Sequence, residues 1–360
     1  MNKLLKPGIH WLLVFIPIAI VLEKSHASAP LIFFAAALAI IPVARLIGAS
    51  TEQLAAYTGD AVGGLLNATF GNFPELIIAI VALNAGLHSM VLASLAGAIL
   101  ANLLLALGLS FLVGGAKYHS QDYNGASVRV YSSMMMIAVI SLTIPSGFHI
   151  LTADKPVIVN ENTLNIYLAV MLLIGYALFL LFMIKTHPDF FAGEGGGHEE
   201  EHGEKWSLTR ALASLVIASV LAAYMSEVLV GAAEETGKVL GMSSVFIGVI
   251  FLAVVGGAAE SISAVAMASK NKMDLSIGIA LGSSIQIALF VAPMLVILST
   301  FVGPGQMNLT FPRPLIVALF LTVILGTMIS SDGRSNWYKG VQLIIVYMIM
   351  GMMLYFIPSV

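Results

Sequence analysis

Apolar runs of about twenty residues, parted by short polar connections, recur along almost the whole chain. A helix rises 1.5 Å per residue, so about 20 apolar residues cross the roughly 30 Å hydrocarbon core of a bilayer. After a first run at His10–Leu22, spans are expected near Leu31–Ile47, Val62–Leu87, Met90–Gly114, Val130–Ile150, Leu164–Ile184, Leu208–Val230, Ser243–Ala268, Leu275–Phe301, Pro314–Ser330 and Val341–Ile357. The expected fold is an all-α integral membrane protein of eleven transmembrane helices. It divides into an N-terminal helix (1–29), a first set of five helices (30–186), an acidic loop (187–206) and a second set of five (207–360). Ala27-Ser28-Ala29 resembles a signal-peptidase site, but Pro30 would follow the cut and Glu23 and Lys24 close the apolar run early. The first helix is therefore expected to be retained.

Lys and Arg set the orientation. With the N-terminus cytosolic, 12 of them fall in cytosolic loops and 4 outside, accounting for all 16. That bias fits the positive-inside rule, and an odd number of crossings puts the C-terminus outside. Composition agrees with membrane insertion. The 360 residues are 59% hydrophobic and 10% charged, against about 25% charged in soluble proteins. The mean hydropathy is +0.98. No basic cluster exists to grip a phosphate backbone, so nucleic acid is not an expected partner. There is no cysteine, which removes disulfide and thiol chemistry.

Against this background the polar residues inside the spans stand out. Gly71-Asn72-Phe73-Pro74-Glu75 places a carboxylate within an apolar segment. A charge at bilayer depth costs roughly 2.5–3.5 kcal/mol on insertion scales and marks a functional site by default. Pro74 must kink or break the helix, and freed carbonyls are tolerated in a membrane only where protein or water satisfies them. Carboxylate, amide oxygen and loose carbonyls together suit a hard cation. The pattern returns 185 residues later (260 minus 75) in Gly256-Gly257-Ala258-Ala259-Glu260. The same offset pairs Ile77 with Ile262, Ala79 with Ala264 and Gly97 with Gly282. The helix carrying Glu75 runs outward and that carrying Glu260 runs inward. Two oppositely threaded five-helix sets, each with a small-residue-rich break, are the pattern of an inverted-repeat transporter.

Asn102, Ser283, Ser284 and Gln286 follow the two breaks. They are candidate cation ligands or supporting groups, or else polar residues bonded across helices. Ser50-Thr51-Glu52 and Ser226-Glu227 are read as ends of the first helix of each half. Glu52 and Glu227 are then either interfacial carboxylates or pathway and gating groups. The central loop contains His198-Glu199-Glu200-Glu201-His202, which matches the zinc-protease pattern H-E-x-x-H. That motif needs a rigid helix and a third ligand, whereas three glycines precede it here and Gly203 follows. Glu199, Glu200 and Glu201 are read as a solvated charge run or a regulatory cation-collecting segment. Gly59–Gly63 and Gly278–Gly282 have helix-packing spacing.

Both glutamate stretches resemble the paired alpha-repeats of the cation/calcium exchanger superfamily, in particular its calcium/proton exchangers of prokaryotic type. GNFPELIIA with GAILANLLLALG resembles the first repeat, and GGAAESISA with GSSIQIALF the second. The acidic loop between the halves also resembles that group. The resemblance covers nearly the whole chain and departs at Gly257, where many relatives carry asparagine, and at Ala98, opposite Ser283. It implies a non-enzymatic antiporter in the cell membrane, without cofactor, that exchanges cytosolic Ca²⁺ for protons, with Glu75, Glu260, Asn72, Asn102, Ser283, Ser284 and Gln286 around the ion. The lipid bilayer is the expected partner, and a homo-oligomer is compatible with it. Alternatives are a sodium/calcium exchanger, another divalent-cation/proton exchanger, and more remotely an intramembrane metalloprotease.

Overall fold

The computed structural model describes residues 8–58, 63, 66, 69–152, 160–188 and 205–357. A 3-10 turn, Ile9–Val14, leads into α1 (Phe15–Lys24). α2 (Ala29–Thr58) follows, then α3 (Phe73–Asn84) and α4 (His88–Tyr118). α5 (Gly125–Thr152), α6 (Glu161–Thr186) and α7 (Leu208–Leu240) come next. α8 (Ser244–Gly256) and α9 (Ala258–Ser269) form a broken pair, followed by α10 (Met273–Leu298), α11 (Arg313–Ser330) and α12 (Trp337–Phe356). Among the described residues, eight helices are long and apolar enough to cross a membrane, nine when the broken pair counts as one. The multi-span helical architecture expected from the apolar runs is therefore present. The 3-10 turn continues directly into α1, and the residues leading into α3 are only partly among those described.

The helices start and stop where side-chain chemistry dictates. Ser207, Ser243 and Asn336 accept hydrogen bonds from backbone N–H groups two or three residues into α7, α8 and α12, satisfying donors with no partner inside the helix. α7 is the longest. It runs past Val230, where the apolar run ends, to Leu240, and Gly241 closes it at a φ of 67°, a left-handed stop suited to glycine. α2 likewise continues to Thr58. The expectation that Glu52 and Glu227 end their helices is thus corrected. Charged residues interrupt the hydropathy pattern without interrupting backbone hydrogen bonding.

α4 and α10 form the centre. Of the apolar window of α4, 89% is buried, against 28% for α6 on the perimeter. Small residues let backbones meet. A Cβ on Gly97 would lie 2.4 Å from the Val249 Cα, and one on Gly248 would lie 2.7 Å from the Met90 carbonyl, so α4 and α8 pack at glycine contact. The expected packing role of Gly278 and Gly282 is not found. Only the Tyr131 hydroxyl, at 4.0 Å, lies near a Gly278 Cβ, and nothing lies within 4 Å of Gly282. Gly59 falls outside the described residues.

The two ends of the bundle are tied separately. At one end, β1 (Ser120–Asp122) pairs antiparallel with β2 (Arg334–Asn336), a small ribbon that the all-helical expectation did not include. Gln121 Nε2 donates to the Ala268 carbonyl at 3.0 Å, and the backbone N–H of Asn124 donates to Asp274 at 2.7 Å. At the other end, the Ser146 hydroxyl donates to the Leu309 carbonyl at 3.2 Å and accepts from the Phe311 N–H at 2.8 Å, and Asn165 Oδ1 accepts from the Leu309 N–H at 2.8 Å. These groupings are those that alternating crossings require.

Candidate functional site

Both breaks fall at corresponding residues. Asn72 precedes α3 with φ −95° and ψ 31°, and Gly257 precedes α9 with φ −80° and ψ 14°. The two residues are 185 apart, as are the starts and ends of α3 and α9. The Asn72 carbonyl accepts from the Leu76 N–H at 3.1 Å, and the Gly257 carbonyl accepts from the Ser261 N–H at 3.0 Å. α8 and α9 meet at 57°. Each pivot starts a new helix, so Glu75 and Glu260 both sit in a first turn. A helix N-terminus carries a partial positive charge that favours a carboxylate.

Glu75 is buried, 8% exposed. Both of its carboxylate oxygens lack a hydrogen-bond partner, as does Oε2 of Glu260. Such orphaned acceptors each cost about 1–3 kcal/mol, more when charged. Positive charge or protons would satisfy acceptors held in this form.

The surrounding polar groups converge on the same breaks. The Ser283 hydroxyl donates to Asn72 Oδ1 at 2.5 Å, and Asn72 Nδ2 donates to the Ser283 carbonyl at 3.3 Å. Gln286 Nε2 donates to the Thr69 carbonyl at 3.2 Å, one helical turn before the pivot. A Cβ on Gly257 would lie 3.5 Å from Glu75 Oε1 and 3.6 Å from Asn102 Oδ1, so both oxygens face one small space. Asn102 is 1% exposed and its Nδ2 has no partner. Ser284 is buried and gives its hydroxyl to the Ala280 carbonyl of its own helix at 2.9 Å.

Two features escaped the sequence. π-helical turns interrupt α4 at Ala101–Ala106 and α10 at Ile287–Val291. They lie at matched places beside Asn102 and Gln286. Such turns are frequent at functional sites, and nothing in the residue pattern marks them. The second feature is unequal exposure. Ile78, Ala79, Ala82 and Leu83 of α3 are at most 3% exposed. Ser263 of α9 is exposed, and Glu260, Ser261 and Ile262 are partly so. Beside Glu75 lies a void of about 10 Å³, bounded by Ser94, Ala98 and Leu252 among others, room for about one water.

Glu52 and Glu227 are exposed. The segment His198, Glu199, Glu200, Glu201 and His202 lies outside the described residues. Among the described residues, no group of three or more His, Cys, Asp or Glu side chains is placed to hold a metal.

The family model described as sodium/calcium exchanger protein matches residues 28–185 and 210–356. A Ca²⁺/H⁺ antiporter of Aphanothece halophytica is 41% identical over 361 residues, covering 97% of this chain and 96% of that protein. The Ca²⁺/H⁺ antiporter ChaA of Bacillus subtilis is 41% identical over 337 residues, covering 93% and 95%. The solved structure of native YfkE superposes with a TM-score of 0.83 at 38% identity, covering 97% of this chain and all of that one.

Proposed function

This chain belongs to the sodium/calcium exchanger protein family, among its calcium/proton exchangers, and on that premise we propose that it exchanges Ca²⁺ for protons by alternating access at Glu75 and Glu260. The observation that carries this reading is the pair of matched breaks, each opening with a carboxylate whose buried oxygens lack partners. Two neighbouring carboxylates cannot both stay ionised in a dry site. A divalent cation neutralises them, and so do protons. Loaded and protonated states can therefore move, while the empty ionised state is held back. That exclusion makes an exchanger rather than a leak.

Asn72, Asn102, Ser283 and Gln286 supply neutral oxygens or hold the pivots that do. Ca²⁺ accepts six to eight oxygens at 2.3–2.6 Å in flexible arrangements, which suits a site made of two helix breaks. Ser284 shapes α10 behind them. The chain is read as eleven crossings, one helix followed by two inverted sets of five, in the cell membrane with its N-terminus cytosolic. In that topology α9 leads from the site to the cytosol and α3 leads outward. The exposed Ser263 on α9 and the small void beside Glu75 support a site entered from the cytosol.

Purified protein in liposomes should take up radiolabelled Ca²⁺ when a pH gradient is imposed and not when a Na⁺ gradient replaces it. Glu75→Gln and Glu260→Gln should each abolish that uptake. Near-wild-type uptake by both variants would refute the site, and uptake driven by Na⁺ alone would refute proton coupling.

A further inference from the structure

A second cavity lies away from the carboxylates, on the perimeter. It measures about 430 Å³ and runs along α6 from Leu173 to Lys185, with Thr69 and Phe290 on its inner wall. Its floor is Tyr176, 6% exposed, whose ring lies 5.6 Å from that of Phe290. It opens outward past Ala177 and Leu181, both exposed. We propose that this groove binds one acyl chain of an anionic phospholipid, with the headgroup phosphate beside Lys185.

The dimensions select the occupant. Twelve residues of helix span about 18 Å, close to the roughly 15 Å of one hydrocarbon leaflet. A single hydrocarbon chain laid along one leaflet matches that length. The walls are apolar except at the end, where Lys185 stands at the tip of α6. There its stem can follow apolar surface while its ammonium reaches the headgroup layer. Lysines at the cytosolic face favour anionic lipids. The seated chain packs against Thr69, whose carbonyl Gln286 holds one turn before the Asn72 pivot. Lipid occupancy is thereby placed to act on the break itself, a consequence that rests on the transport reading, although binding does not.

The full chain in detergent should retain phosphatidylglycerol more strongly than phosphatidylcholine in native mass spectrometry. Lys185→Gln should weaken phosphatidylglycerol retention about fivefold, the worth of one lysine at an anionic surface, and leave phosphatidylcholine unchanged. Ala177→Trp should block both lipids. Glu75→Gln should retain lipid like wild type, which separates this inference from the exchange mechanism. Equal retention of the two lipids by wild type, or unchanged retention in both groove variants, overturns it. So does cross-linking between copies through Ala177→Cys in this cysteine-free chain, because the groove would then be covered by protein.

Discussion

Gly256 ends α8 directly beneath Glu75, and its substitution by alanine tests whether the carboxylate is held in register. The added Cβ would lie 2.9 Å from Glu75 Cγ and 3.5 Å from Cδ, whereas ordinary contact begins at 3.4 Å. Glu75 must therefore retreat by about 0.5 Å, since the obstacle to the methyl is its own side chain. Local propensity works the other way. Alanine in a helix is favoured over glycine by roughly 0.5–1 kcal/mol, so the fold should survive. The site should not be so tolerant. Ca²⁺–oxygen distances span only about 2.3–2.6 Å, and functional groups must hold position within about 0.5 Å. If a 1 Å error costs about 100-fold, half of that costs on the order of tenfold. Gly256→Ala should thus lower pH-gradient-driven Ca²⁺ uptake in proteoliposomes about tenfold, with unchanged thermal stability in detergent. Gly282→Ala, where nothing lies within 4 Å, is the matched control and should keep both. Uptake by Gly256→Ala within twofold of wild type would show that Glu75 is not held where its position matters.

Ser283→Ala removes the donor to Asn72 Oδ1 and leaves a buried amide oxygen unpaired. Stability should fall by about 1–3 kcal/mol, measured by unfolding in detergent, and an unchanged midpoint would contradict it. Gly97→Ala drives a methyl to 2.4 Å from the Val249 backbone, which cannot yield as a side chain can. It should cost about 1–3 kcal/mol or more and show as loss of monodisperse protein on gel filtration. At the β1–β2 end, partial burial raises the Asp332 pKa, but hydrogen bonds from Lys339 and the Arg334 N–H outweigh it, and the net shift is downward. A carboxyl with a depressed folded pKa contributes stability above its unfolded pKa and loses it as pH falls through the folded one. The stability difference between wild type and Asp332→Asn should be present at neutral pH and vanish as pH falls below the usual aspartate range. A difference that persists in acid would remove Asp332 from that account.

Glu75 and Glu260 could be found from sequence because carboxylates are costly in apolar runs, and because the two breaks repeat at one spacing. Proline before Glu75 and paired glycines before Glu260 advertised the breaks themselves. Helix ends were harder. In α7, Glu234, Glu235 and Lys238 end the hydropathy signal at a membrane surface while the helix continues for ten residues beyond Val230. The tight meeting of Gly97 with Val249 joins residues far apart in sequence, so spacing along one helix could not reveal it. Spacing instead favoured Gly278 and Gly282, yet a Cβ on Gly278 would near only the Tyr131 hydroxyl and Gly282 faces open space. The π-helical turns left no mark because they depend on how α4 and α10 are packed, not on residue type.

The break in repeat symmetry at Gly257 has a physical reason that only the folded chain displays. Asn72 fills its pivot with a side chain, and Ser283 binds that side chain. At Gly257 the equivalent space is already claimed. Glu75 Oε1 comes to 3.5 Å and Asn102 Oδ1 to 3.6 Å from where a side chain would begin. The pivot geometry, φ −80° and ψ 14°, is open to any residue, so glycine is not needed there for its backbone. A Cβ there would make ordinary contact with both oxygens and a tighter one, at 3.3 Å, with the Ala253 carbonyl. A longer side chain at 257 would start in contact with these two oxygens rather than in open space. The half that lacks a side chain at its pivot therefore receives the carboxylate of the other half. A site drawn from two repeats becomes lopsided, with Glu75 packed deep against Gly256 and Gly257 and Glu260 nearer the exposed face of α9.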